Sequence, residues 1–140
     1  MQMIDEKEAQ EVENIMFEYF VQETGSETEA QMMMERMAGM LQDPGVKLIH
    51  LGNTVFMMIL AAPRVAEIHT MAVREDSSSL AKHFVTLSNF LKNMGVLRAY
   101  TYTDDPRFMA VAKRTRLPFK VQEVPGKDGN ILTVYSMEYA

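Results

Sequence analysis

The sequence has 140 residues, of which 47% are hydrophobic and 24% are charged, and its formal net charge at pH 7 is −5. This composition predicts a single soluble globular domain over residues 1–140, with enough apolar side chains for a buried core. The absence of cysteine excludes disulfides, thiolate nucleophiles and zinc ribbons. The longest apolar run, residues 55–62, is too short to span a bilayer. The first ten residues lack the basic and apolar regions of a signal peptide, so we expect a cytoplasmic protein.

The first third of the chain predicts a short strand and two helices. We expect the strand at residues 1–4, and residues 5–21 carry apolar side chains at helical spacing. Ser26 and Glu29 have the spacing of a capping box, which predicts that a second helix begins there. The side chains that this second helix turns inward are predicted to be Met33, Met37, Met40 and Leu41.

Three strands are predicted next, at residues 46–52, 55–62 and 65–73. Residues 55–62 are apolar on both faces, which is typical of a central buried strand. The third strand has a period of two, which separates its side chains into two faces: Glu67, His69 and Met71 on one, and Ile68, Thr70 and Ala72 on the other.

A third helix follows a polar loop. Ser77, Ser78 and Ser79 are predicted to supply its N-caps, and the helix reaches about Met94, with Gly95 as its C-terminal glycine. Its apolar stripe consists of Leu80, Phe84, Leu87, Leu91 and Met94.

The last part of the chain predicts a strand at residues 97–103, a fourth helix and two final strands. Asp105 and Pro106 are typical of a helix start, so the helix is placed at about residues 106–116. The final strands flank the turn-rich residues 125–130. The complete order is β-α-α-β-β-β-α-β-α-β-β. It predicts an α/β fold with a mixed, mostly antiparallel sheet and helices on both faces.

Charge is distributed unevenly along the chain. The first 43 residues hold 11 acidic and 2 basic side chains, a net of −9, and the remainder holds 8 and 12, a net of +4. A nucleic-acid surface would show a stronger basic bias with interleaved aromatic residues, so we do not expect nucleic acid as a partner. The three histidines lack metal-ligand spacing, and no metal is predicted. Five basic side chains are predicted either to face solvent or to contact an anionic ligand: Arg107, Lys113, Arg114, Arg116 and Lys120.

Two segments carry a family resemblance: AEIHTMAV at residues 66–73 and LRAYTYTDDPRFMAVAKRTRLPFKV at residues 97–121. Together with the element order, they resemble the GCN5-related N-acetyltransferase (GNAT) superfamily. The resemblance implies transfer of an acyl group from acetyl-CoA to an amine. Glu67 matches the general base of the histone acetyltransferase branch; alternatively, it pairs with a base such as Arg64 or Lys82. His69 is either its partner or a structural histidine. The strand end that the resemblance places beside the acyl group is Met71, Ala72 and Val73.

Residues 74–79 stand where the family has its pyrophosphate loop, but they contain no glycine. Ser77, Ser78 and Ser79 either offer hydroxyl and backbone donors to the phosphates or only cap the helix. Arg114 stands where many members have the tyrosine that protonates the leaving thiolate. An arginine cannot donate a proton near neutral pH, so it would stabilise the thiolate only by its charge.

These observations leave more than one function open. The first is an acetyl-CoA-dependent N-acetyltransferase, whose acceptor would be a cationic amine if Glu18, Glu23 and Glu123 form an acidic rim. The second is a catalytically inactive GNAT-fold protein with a structural or interaction role, for example in a phage virion. The Met-rich residues 30–40 would then bind a protein partner or a second copy of the chain. The third is a binder of another acyl or nucleotide ligand.

Overall fold

The computed structural model describes residues 6–103 and 105–139. The strand predicted at residues 1–4 lies outside these residues. The helices are α1 (Glu6–Thr24), α2 (Glu27–Met40), α3 (Ser77–Asn93) and α4 (Arg107–Thr115). The strands are β1 (Val46–Leu51), β2 (Thr54–Ala62), β3 (Val65–Ala72), β4 (Arg98–Thr103), β5 (Lys120–Pro125) and β6 (Ile131–Glu138), with a 3₁₀ turn at Lys127–Gly129.

The six strands are hydrogen-bonded in the order β1-β2-β3-β4-β6-β5. Strands β3 and β4 run parallel, and β6 pairs antiparallel with both β4 and β5. The predicted class, an α/β fold with a mixed and mostly antiparallel sheet, is therefore confirmed. The described residues separate into two compact units, which are considered in turn. No helix of residues 6–103 and 105–139 is long and apolar enough to cross a membrane.

The first unit comprises the described residues up to Met58 together with Thr70–Glu75. Helices α1 and α2 pack on each other in it. The Ser26 Oγ accepts the N–H of Glu29 at 3.2 Å, as a capping box requires, but the N–H of Ser26 donates to Thr24 Oγ1 at 3.3 Å. The buried apolar side chains of this unit are Val12, Ile15, Met16, Phe20, Ala30, Met37, Val46, Val55, Phe56, Met57, Met58, Met71 and Val73.

Two burial predictions for this region need correction. Strand β2 is buried only as far as Met58, and Leu60 near its end is 43% exposed, because the last residues of the strand extend beyond the buried core. In α2, Met37 is buried as predicted, whereas Leu41 lies beyond the last helical residue and is 36% exposed. Met32 is an exposed methionine on this helix.

The second unit comprises Ile59–His69 and the described residues from Asp76 onward. Helices α3 and α4 pack on each other in it. Met94 was expected in the apolar stripe of α3 but is exposed, because the helix ends at Asn93. The buried apolar side chains of this unit are Ala66, Ile68, Ala81, Phe84, Leu87, Leu91, Val96, Ala99, Val111, Ala112, Tyr135 and Met137.

Helix α4 starts one residue later than predicted, at Arg107. The Asp105 carboxylate nevertheless acts as a cap, since it accepts the Arg107 N–H at 2.9 Å. The helix ends at Thr115, and Arg116, which follows it, has a left-handed φ of 57°. Glycine is the usual residue in this conformation, as at Gly95 after α3, where φ is 88°.

Candidate functional site

The carboxylate of Glu67 is the centre of a polar cluster in the second unit. Its Oε2 lies 2.6 Å from Nε2 of His69, and its Oε1 accepts the hydroxyl of Tyr100 at 3.1 Å. The side chain of Glu67 is 20% exposed and that of His69 is 37% exposed. The partners of Glu67 are thus a histidine and a tyrosine, and not Arg64 or Lys82.

The register of two parallel strands brings these side chains together. Strands β3 and β4 pair from Val65↔Arg98 to Glu67↔Tyr100. In-register residues on neighbouring strands project to the same face, and His69 follows on that face because strand side chains alternate. The predicted grouping of Glu67 with His69 on one face agrees with this contact, while Ile68 faces an apolar cavity.

Two tyrosines of β4 surround the Glu67–His69 pair. The ring of Tyr102 meets that of His69 edge-on, with centroids 5.9 Å apart, and the Arg98 guanidinium lies 5.7 Å from the Tyr100 ring centroid. Burial raises the pKa of Tyr100, and the charge of Glu67 and the hydrogen bond to it raise that pKa further. Burial and the Glu67 charge also raise the pKa of Tyr102. Both phenols therefore remain protonated near neutral pH, and that of Tyr100 donates to the carboxylate.

The N-terminus of α3 is capped by Asp76 and not by the predicted serines. The Asp76 Oδ1 accepts the N–H of Ser79 at 2.7 Å, so Ser77, Ser78 and Ser79 form the first helical turn. Aspartate and serine are both strong N-caps, and here the residue before the serines has the extended backbone that a cap requires. Backbone and side-chain hydrogen bonds from Ser79 are the main causes that lower the pKa of the Asp76 carboxyl. The position that an anion would take at this helix end already holds a carboxylate.

A basic groove of about 710 Å³ lies between α3 and α4. Arg114 reaches across it and donates from Nη1 to Ser78 Oγ at 3.0 Å. None of the lining residues that the structure describes is acidic, so the field of the groove favours an anionic ligand. Its charged side chains are Lys82, Lys113, Arg114 and Arg116.

Two other predicted basic residues do not line this groove. The guanidinium of Arg107 binds the Asp105 carboxylate at 2.7 Å, and this interaction is the main cause that lowers the pKa of Asp105. Lys120 begins the exposed strand β5. The structure thus brings together Lys113, Arg114 and Arg116 of the predicted basic set and adds Lys82 from α3.

The residues predicted beside the acyl group lie in the first unit. Met71 and Val73 have buried side chains, and Ala72 ends β3. The N–H of Val73 donates to the carbonyl of Asn53 at 3.1 Å. This amide already has an acceptor, so it is not a free donor for a ligand carbonyl.

The loop after Val73 is held by its own polar contacts. Arg74 donates from Nε to Glu18 Oε2 at 3.1 Å, and the buried Thr54 hydroxyl donates to Glu75 Oε2 at 3.0 Å. Glu75 thus stabilises the loop.

The apolar cavity beside Ile68 has a volume of about 40 Å³. Phe84, Leu87, Phe119 and Tyr135 are among its lining side chains. A space of this size holds a few water molecules at most, so it is too small for a cofactor. Among residues 6–103 and 105–139, no three histidine, aspartate or glutamate side chains gather as metal ligands.

Comparison with solved structures identifies the fold. The microcin C7 self-immunity acetyltransferase MccE, in complex with acetyl-CoA and AMP, matches with a TM-score of 0.62 at 14% identity, over 94% of this chain and 87% of that chain. RimL, a ribosomal L7/L12 α-N-protein acetyltransferase in complex with coenzyme A, matches with a TM-score of 0.60 at 16% identity, over 91% and 84%. GCN5 from Tetrahymena matches with a TM-score of 0.56 at 11% identity, over 97% and 92%. The chain has the GNAT fold.

The GNAT fold agrees with the resemblance read from the sequence. No protein-family model matches this sequence, and no curated protein sequence matches it. At 11–16% identity, the three matches establish the GNAT fold and leave activity to be argued from the residues.

Sequence reasoning did not assign Tyr100, Tyr102, Asp76 or Lys82 to the site. Tyr100 is close to Glu67 only because of the parallel register of β3 and β4, which no local sequence pattern specifies. Lys82 follows Ser78 by four residues, so helical spacing puts both on one face of α3. This spacing is the sequence signal from which Lys82 could have been assigned to the same face as Ser78.

Proposed function

We propose that this protein transfers an acyl group from a coenzyme A thioester to an amine, as an acetyl-CoA-dependent N-acetyltransferase. The observation that carries the proposal is the Glu67–His69–Tyr100 cluster on a strand of the GNAT fold. An amine must lose a proton to form an amide, and a carboxylate–imidazole pair is suited to take it. Glu67 and His69 are the catalytic pair in this proposal, and Tyr100 orients the carboxylate.

The basic groove supports binding of the coenzyme. Coenzyme A carries phosphates, and within the described part of the chain the groove is lined by four cationic side chains and by no acidic one. Lys82, Lys113 and Arg116 would contribute charge, and Arg114 would add a planar donor of the kind that pairs well with phosphate. Acetyl-CoA would supply the activated acyl group, and the residues of this chain would hold it and accept the proton. Since Asp76 caps α3, the phosphates would bind through these side chains and not at the helix N-terminus.

The proposal is tested by calorimetric titration with acetyl-CoA and with CoA, followed by a transfer assay. Micromolar affinity and thiol release with spermidine or a lysine-containing peptide would support acyl transfer. Both acceptors are cationic, which is the class of amine that an acidic rim would favour. Binding without transfer to any amine in a broad panel would contradict the enzymatic role and favour a binder of acyl-CoA.

A specific observation favours a second function, a GNAT-fold protein without catalysis. The carboxylate of Asp76 occupies the anion position of α3, and Met32 is 58% exposed on the Met-rich helix α2. Under this alternative, α2 contacts a protein partner or a second copy of the chain. Absence of acetyl-CoA binding up to millimolar ligand, with an oligomer that Met32→Glu dissociates, would support it. Met37 is unsuitable for this test because its side chain belongs to the core.

A further inference from the structure

The cluster around Glu67 contains two groups able to accept a proton, and their surroundings differ. Each oxygen of the Glu67 carboxylate already has a hydrogen-bond partner, Oε1 with Tyr100 and Oε2 with His69. The imidazole is bound only through Nε2, and the residues that the structure describes provide no hydrogen-bond partner for its Nδ1. The imidazole is also the more exposed of the two side chains, at 37% against 20%.

The contact with Glu67 determines which imidazole nitrogen carries the hydrogen. A carboxylate only accepts hydrogen bonds, so the 2.6 Å contact requires Nε2 to be the donor. In the neutral ring, the lone pair is then on Nδ1. The arrangement has the same logic as a carboxylate that orients a histidine base and stabilises the imidazolium formed on it.

We infer that Nδ1 of His69 is the general base for the incoming amine, and that Glu67 is its positioning residue. This inference rests on the proposed acyl transfer. As the amine nitrogen bonds to the carbonyl carbon and the C–S bond breaks, the amine proton passes to Nδ1 of His69. The thiolate that leaves takes a proton from water, and His69 returns its own proton to solvent. No further reactant is needed.

The groups facing His69 favour this division of roles. Its own strand contributes the carboxylate of Glu67, and β4 contributes the protonated phenols of Tyr100 and Tyr102. The guanidinium of Arg98 lies over the ring of Tyr100. Strand β2, which neighbours β3 in the sheet, carries no titratable side chain. A proton gained at Nδ1 therefore forms an imidazolium directly opposite a carboxylate.

Acetyl transfer to spermidine by matched variants tests the assignment. We expect His69→Ala to lower kcat by about 10²- to 10⁴-fold, with partial recovery on addition of free imidazole. Glu67→Gln should lower kcat less than His69→Ala does and should leave the KM for acetyl-CoA unchanged, because it removes the counter-charge of the imidazolium but retains the base and the groove. His83→Gln replaces a histidine outside the cluster and should leave kcat unchanged. Thermal unfolding of each variant verifies that it is folded.

Nuclear magnetic resonance of ¹⁵N-histidine-labelled protein provides a readout that does not depend on turnover. The inference requires the neutral imidazole of His69 to carry its hydrogen on Nε2 in the wild type. Three results would overturn it: hydrogen on Nδ1, a fully active His69→Ala, or a variant that imidazole does not rescue. Wild-type protein that transfers no acetyl group to any amine would overturn the proposed function, and the role of His69 as a base with it. In that case the spectrum would still show whether Nε2 of His69 carries the hydrogen that the contact with Glu67 requires.

Discussion

Tyr100 and Glu67 face each other across the parallel strands β3 and β4, and the phenol donates to the carboxylate over 3.1 Å. This bond occupies one carboxylate oxygen and leaves the other to His69. The orientation of the proposed base thus depends on a tyrosine from the neighbouring strand.

Tyr100→Phe removes this donor and preserves the ring. We expect a loss of about 0.5–1.5 kcal/mol in the free energy of unfolding, the usual net contribution of one hydrogen bond. We also expect a severalfold fall in kcat with little change in the affinity for acetyl-CoA, because the groove is untouched. Denaturant unfolding and steady-state kinetics measure the two effects. Tyr102→Phe is the matched variant, and it should have the smaller effect because its ring contact with His69 is retained; equal losses in both would contradict the role given to Tyr100.

The basic groove predicts a salt-dependent affinity for CoA. Arg114→Ala removes the guanidinium that bonds to Ser78 and should weaken CoA binding by about tenfold, the effect of losing about 1.4 kcal/mol. The loss should shrink as ionic strength rises, since added salt screens charges on an open surface. Isothermal titration at two salt concentrations checks both statements. Arg107→Ala, which removes a cation bound to Asp105 outside the groove, is the control and should leave affinity unchanged. An equal loss in both variants would point to a general charge effect.

The negative charge of Asp76, the residue that caps α3, is predicted to weaken the binding of CoA. Asp76→Asn keeps a side chain that can cap the helix but removes the negative charge next to the groove. We expect tighter binding of CoA, with only a small fall in the thermal midpoint, because asparagine is itself a good N-cap. Titration and a thermal melt of the same preparation measure the two quantities. Unchanged or weaker binding would mean that the phosphates do not approach this end of α3.

Acid should destabilise the fold through Asp76 and Asp105. The pKa of each carboxyl is lowered in the folded protein from an ordinary 3.8, Asp76 mainly by Ser79 and Asp105 mainly by Arg107. Because the pKa of each carboxyl is lower in the folded state than in the unfolded state, each carboxylate stabilises the fold fully at a pH above its unfolded-state pKa. This stabilisation is lost as the pH falls through the folded-state pKa. Thermal midpoints should therefore drop below about pH 4, and less steeply in the double variant Asp76→Asn, Asp105→Asn. An identical slope in that variant and the wild type would rule out these two carboxyls as the cause.

The fold was predictable from the sequence because its signals are local. Hydrophobic periodicity and turn residues gave the helices and strands from α1 to β6, mostly to within one to three residues at their ends. The predictions were wrong where two neighbouring residues could each cap a helix, and where side chains lie at the end of a helix or strand. Asp76 and Ser77 are both good N-caps, and only backbone geometry shows that Asp76 is used.

The candidate site was predictable only in part. Glu67 and His69 follow from strand alternation, and their contact at 2.6 Å agrees with it. The contribution of Tyr100 depends on strand register between segments 33 residues apart, which sequence periodicity does not determine. The hydrogen bond from the N–H of Val73 to the carbonyl of Asn53 was also beyond sequence reasoning, because it joins two separate segments of the chain.

The left-handed backbone at Arg116 links the stability of the protein to the positive charge of the basic groove. A non-glycine residue in that conformation costs roughly 1–2 kcal/mol, yet the position carries one of the four cations of the groove. Arg116→Gly should therefore raise the thermal midpoint and weaken CoA binding at once. Glycine at this position would relieve the strain and remove one positive charge from the groove, so stability and groove charge cannot both be maximal there.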